Sequence, residues 1–170
     1  MIANIARRLQ NRGIHSKSER GQSFTELAIS LVFLLTLLSA VIDIGWAFYT
    51  MIALRDAAQE AAAYGAICPF ASDSVTPNTN LIRQRLMVSV TDPIDLRDLD
   101  PADILISFTN KSGTAVSTPV MEGNVVVSAT IHHTILTPFV GTFIGTQEYP
   151  ITVTVADTVM RSKWLQQCQQ

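Results

Sequence analysis

The sequence predicts an α+β fold, in which a long N-terminal transmembrane helix continues into an amphipathic helix packed on a small antiparallel sheet. Three observations predict it. From Leu27 to Ile42 the chain reads LAISLVFLLTLLSAVI, with nothing more polar than Ser or Thr. The stretch after it keeps polar residues on one side at helical spacing. The last part of the chain alternates apolar and polar residues with period two.

A chain of 170 residues has room for one modest domain and accessory segments. It is 48% hydrophobic and only 15% charged, so the apolar content must be concentrated somewhere. Residues 1 to 21 carry Arg7, Arg8, Arg12, Lys17 and Arg20 against Glu19 alone, a net charge of +4. The remainder holds seven basic and thirteen acidic residues, a net charge of −6. A short basic flank keeps its end of a membrane helix in the cytoplasm, so the part beyond the helix is expected to be exported. No aromatic or Gly-rich element accompanies these arginines, which argues against a nucleic-acid partner.

The basic leader ends in Glu19-Arg20-Gly21, and Gln22-Ser23-Phe24-Thr25-Glu26 opens the apolar run. An ordinary secretory signal is cut after its apolar stretch. Here the candidate processing site, Gly21–Gln22, precedes it, so the helix would stay on the mature protein. Cleavage would create an α-ammonium at Gln22, with Glu26 one helical turn away. A carboxylate in a membrane helix costs about 2.5 to 3.5 kcal/mol at the bilayer centre and less near the surface. In an assembly, Glu26 can pair with another subunit's N-terminal amine inside an apolar bundle. Alternatively it sits at the water interface, where the helix macrodipole favours an anion.

The apolar run is interrupted by Asp43 and resumes as IGWAFY to Tyr49. At about 1.5 Å per residue, Leu27 to Tyr49 spans roughly 35 Å, enough to cross a hydrocarbon core of about 30 Å. The residues left over could hardly wrap a helix that is apolar on all sides. Asp43 admits two readings, a pairing with Arg55 of a neighbouring copy or a place at the far membrane interface.

From Trp46 to Ala66 the polar residues Arg55, Asp56, Gln59 and Glu60 fall on one side, and Leu54, Ala57, Ala58, Ala61 and Gly65 on the other. Such a small-residue stripe lets a sheet or helix approach closely. One helix from Phe24 to Ala66 would measure roughly 65 Å. Cys68-Pro69 stops it, because Pro disfavours helical geometry in the residue before it. Residues 69 to 79 (PFASDSVTPNT) read as a loop and Leu81 to Val90 as a short helix. Asp92, Asp95, Asp98, Asp100 and Asp103 surround two prolines. They lack the glycine and closing Glu of a calcium loop and read as a solvated turn region.

Three strands follow. Ile104, Ile106 and Phe108 share a face, and Asn110-Lys111-Ser112-Gly113 makes a turn. Val125, Val127, Ala129, Ile131, His133 and Ile135 share another face, against Ser128, Thr130, His132 and Thr134. Pro138 ends that strand, FVGTFIG connects, and Ile151, Val153 and Val155 repeat the pattern. The expected domains are a leader over 1–21, a transmembrane helix over 22–49, its amphipathic extension over 50–66, and an exported head over 67–170.

The catalytic inventory is empty. There is no GxSxG, HExxH, phosphate loop or CxxC. His132 and His133 are adjacent in a strand, so they point to opposite faces and cannot chelate one metal. No metal or cofactor is expected. Cys68 and Cys168 both lie on the exported side, where disulfides persist, so an even pair invites a bridge. Two free thiols are the alternative.

The segment RGQSFTELAISLVFLLTLLSAVIDIGWAFYTMIALRDAAQEAAAYGA resembles the start of a TadE-like protein, the minor pilin or pseudopilin class of the tight-adherence (Flp) branch of type IV pili. In that family a basic leader ending in Gly precedes a mature start with Glu at its fifth position. A long apolar helix follows, carrying an acidic residue and Gly near its end, here Asp43 and Gly45. The resemblance implies a pilin-like fold, processing by a prepilin peptidase after Gly21, use of Glu26 in assembly, and other pilins and pilus assembly proteins as partners. It places the chain in the inner membrane as a single-pass protein, or in an extracellular pilus. Leu27 departs from the pattern, since the family usually has an aromatic residue after the Glu. The Gln22 start leaves methylation of the new N-terminus open. The competing class is a signal-anchored exported enzyme or binding domain that stays in the membrane and would show a cleft with convergent polar groups.

Overall fold

The computed structural model describes residues 15–71, 73, 75–90, 94–135, 137, 141, 142, 145–160 and 168, the side chains of 15–20 and 98 excepted. Arg7, Arg8, Arg12, Asp92, Pro138 and most of the connection from Phe139 to Gly145 lie outside the described residues.

One helix, α1 (His15–Ile67), runs for 53 residues, or about 80 Å. It extends further toward the N-terminus than the expected Phe24 start and passes through the Gly21–Gln22 junction without a break. Three threonine hydroxyls inside it are satisfied by its own carbonyls. Thr25 donates to Gln22 O at 2.7 Å, Thr36 to Val32 O at 2.8 Å and Thr50 to Trp46 O at 3.0 Å. The helix closes with Cys68 N–H donating to Tyr64 O at 2.8 Å, and Pro69 prevents a further turn.

A second helix, α2 (Thr79–Ser89), packs on α1 through Ile82 and Leu86, both fully buried. Two three-residue 3-10 turns, Leu96–Asp98 and Pro101–Asp103, lead into the sheet. Strands β1 (Ile104–Thr109), β2 (Ala115–Val116), β3 (Asn124–Thr134) and β4 (Glu148–Thr158) are antiparallel in the order β2-β1-β3-β4. Sequence alternation foretells β1, β3 and β4. It misses β2, because two residues carry no period; the Asn110 turn creates it instead. Asn110 Oδ1 accepts from Ser112 N–H at 3.0 Å and Thr114 N–H at 2.9 Å, and Gly113 takes φ +82°.

The inner face of the sheet presents Ile104, Phe108, Val125, Val127, Ala129 and Val153 to Leu54, Ala57, Ala58, Ala61 and Ala62 of α1. The outer face is polar, with Ser128 and Thr154 hydroxyls 3.0 Å apart and those of Thr130 and Thr152 2.9 Å apart across β3 and β4. The approach is tightest at Gly65. A Cβ built there would meet Ile82 Cδ1 and Val125 Cγ1, each at 2.9 Å. At Gly45, on the same helix, nothing lies within 4 Å.

These two glycines separate packing from propensity, since Leu is a good helix former. We expect Gly65→Leu to destabilise the purified full chain by about 1 to 3 kcal/mol through overpacking. Gly45→Leu should not lower the urea midpoint in detergent. Equal midpoints for the two variants would remove the claim that Gly65 is required by close approach.

Candidate anchoring and assembly site

The part of α1 below the head is bare. Phe24 is 72% exposed, Ile29 72% and Phe33 66%, and an 18-residue window of this helix has mean hydropathy 2.5 with 6% of it buried. Every backbone polar group there is consumed within the helix, so the surface offered outward is hydrocarbon. At about 25 cal/mol per Å² of apolar area, such a surface is stable only against lipid or other apolar helices. It is a membrane-spanning helix by length and composition.

At its lower end, Gly21, Gln22 and Glu26 are exposed. Gln22 Nε2 donates to Glu26 Oε1 at 3.4 Å, so the two side chains share one face of the helix, a turn apart. A Cβ at Gly21 would meet nothing within 4 Å, so the junction backbone is open on the side where a side chain would stand.

At the upper end of the apolar run stands Asp43, which is 5% exposed. Its Oδ2 accepts from the backbone N–H of Thr137 at 3.3 Å and from the Thr137 hydroxyl. Neither sequence reading of Asp43 anticipated this. The carboxylate is covered by the head of its own chain, just beyond the end of β3. The cost of an acidic residue in an apolar run did signal that a partner was needed. Nothing in the sequence pointed to a threonine 94 residues away.

The head is also tied to α1 at the other end. Cys68 and Cys168 form a disulfide with Cα atoms 5.8 Å apart, and both residues are buried. Tyr64 of α1 donates its hydroxyl to Cys168 O at 2.7 Å, and the Arg85 guanidinium of α2 lies 5.1 Å from the Tyr64 ring centre.

The acidic region spends its described carboxylates locally. Asp95 accepts from Arg97 Nε at 3.0 Å and from Arg97 N–H at 3.0 Å, which holds its carboxyl below the ordinary range. Asp100 accepts from Ala102 N–H at 2.8 Å. No group of three metal-ligating side chains converges among the described residues. His132 and His133 point to opposite faces. His132 Nε2 is 3.9 Å from Asp103 Oδ1, while His133 is buried edge-on to Tyr149 with ring centres 5.6 Å apart.

Residues 21–63 match the family model of TadE-like proteins. The match begins at Gly21 and covers about a quarter of the chain, the lower and middle part of α1, leaving the sheet outside it. It bears out the resemblance carried by this segment and associates the chain with tight-adherence pili. No curated protein and no solved structure matches the chain.

The Asp43 contact can be weighed directly. Thr137→Val removes one hydroxyl donor from a buried carboxylate, a loss of about 1 to 3 kcal/mol. Thr137→Ser should restore most of it. If Val and Ser variants melt together in detergent, the hydroxyl contributes nothing. Reduction of Cys68–Cys168 should cost up to about 4.7 kcal/mol for a loop of 100 residues, read as a lower urea midpoint in the presence of reductant.

Proposed function

We propose that the chain is a minor pilin or pseudopilin of a tight-adherence pilus, made as a membrane precursor and cut by a prepilin peptidase after Gly21. The observation that carries this reading is a coincidence of position. The basic leader ends at Gly21, the family match starts at Gly21, and Glu26 lies one turn beyond on a helix whose surface is bare. A helix with large exposed apolar side chains and internally satisfied threonine hydroxyls can pass from lipid to a bundle of like helices with little change in solvation. Packing and the disposal of Glu26 then decide which environment it prefers.

In the mechanism we propose, the leader holds the N-terminus in the cytoplasm, cleavage frees the Gln22 amine, and lateral packing of the Leu27–Ile42 surface draws the subunit into an assembly. Glu26 is neutralised there by the amine of a neighbouring subunit. The head travels with the helix, because it is fixed to α1 by the core, by Asp43 and by the disulfide.

Mass spectrometry of the protein from cells with an active prepilin peptidase should find Gln22 at the N-terminus, and a chain retaining its leader would sink the reading. Glu26→Ala should insert in the membrane normally and assemble less. Unchanged assembly would show that the carboxylate has no part in it.

A further inference from the structure

Asp43 is the first charged residue after Glu26. Left bare, it would mark the upper edge of the apolar belt. Because Thr137 covers it, the next charge along α1 is Arg55, which is exposed. Charged side chains at the surface of α1 are therefore missing from Leu27 to Leu54, a length of about 42 Å. A bilayer offers about 30 Å of hydrocarbon and about 40 to 45 Å with its headgroup layers. With Glu26 at one boundary, the turns after Asp43 fall within the outer interfacial layer. Trp46 and Tyr49, stacked at 6.1 Å and each partly exposed, are residue types that collect there.

The start of β4 lies at this same level. Ile44, Phe48 and Met51 of α1 and Tyr149, Pro150 and Ile151 of β4 line an apolar groove of about 390 Å³. No charged side chain lines it. β4 is the outer strand of the sheet, and Pro150 has no N–H to offer another strand at this end. The groove is continuous with the membrane-spanning face of α1, since Ile44, which lines it, stands one turn beyond the exposed Val41. We propose that this groove takes an acyl chain of an outer-leaflet phospholipid, so that the head is seated in the interface rather than held above it. The inference rests on membrane anchoring alone and not on assembly into a pilus.

The test uses the full chain in phospholipid vesicles, with bromine placed on the acyl chains either near the glycerol or near the chain end. In a Trp46→Phe, Trp164→Phe background, Tyr149→Trp should show blue-shifted emission and lose more fluorescence to bromine near the glycerol than to bromine near the chain end. Met121→Trp, at the opposite end of the head, should lose none. Thr152 also lines the groove, on the edge strand β4, so Thr152→Trp gives a second probe should Tyr149→Trp not fold. Groove probes quenched no more than the Met121→Trp chain would overturn the seat. So would quenching that disappears as protein is added relative to lipid, because a second copy would then fill the groove. Trp46 itself, in a chain carrying only Trp164→Phe, reports anchoring separately. If Trp46 is quenched and the groove probes are not, the seat fails while the anchor stands.

Discussion

A single continuous helix has to serve in two environments, and the rest of the structure follows from that constraint. Below Ser39, α1 carries Leu, Ile, Val and Phe on all sides, and they are exposed. Above Leu54, the same helix becomes the centre of a folded head, and its buried side is nearly all Ala and Gly. The change in side-chain size marks the change of environment. A sheet whose own inner face is Val, Ile and Phe can approach a helix closely only if the helix contributes little volume. At Gly65, flanked by Ile82 and Val125, it contributes none. Large side chains suit lipid, which rearranges around them, whereas small ones suit a sheet that cannot.

Because the helix is unbroken, the register between head and membrane is set by contacts along α1. Two ties lie far apart on it. Asp43 meets Thr137 near the end of the apolar run, and Cys68 holds Cys168 just past the end of the helix. They are separated by 25 residues of chain, roughly 37 Å. Between them β3 runs antiparallel to α1, with Val125 beside Gly65 and Thr137 reaching Asp43. The two ties differ in kind. The disulfide acts chiefly by restricting the unfolded chain. The Asp43 contact acts in the folded state, by taking a carboxylate off the helix surface where lipid would otherwise meet it.

Much of this was legible in the residues. The uniform apolar run from Leu27, the Ala stripe from Ala57 and the alternation around Val127 and Val153 each have a period that only one element satisfies. These are local patterns, and local patterns survive in a single sequence. What escaped was non-local or short. β2 is two residues produced by the hydrogen bonds of Asn110, with no periodicity to detect. Thr137 lies in a connection, and its pairing with Asp43 depends on the length of β3 and the place where the sheet rests on α1. The family match has the same limit, since it recognises the helix and stops before the sheet.

The helix running through Gly21 bears on the chemistry of the proposed cut. In the precursor, Glu26 stands well inside a helix that begins at His15, away from any positive helix terminus. The macrodipole and the unpaired N–H groups of the first turn belong to residues of the leader. Hydrolysis after Gly21 would move that terminus to Gln22 and add a full ammonium charge to it. Glu26 would then sit at the edge of the first turn, on the face it shares with Gln22. A single bond cleavage would thereby put a full positive charge within one helical turn of a carboxylate that stood far from the helix terminus before it. The change in charge environment is larger than any rearrangement of packing the cut requires, because nothing in the described structure packs on Gly21. Processing on this reading alters which state of Glu26 the bilayer and an assembly each tolerate, and leaves the head as it was.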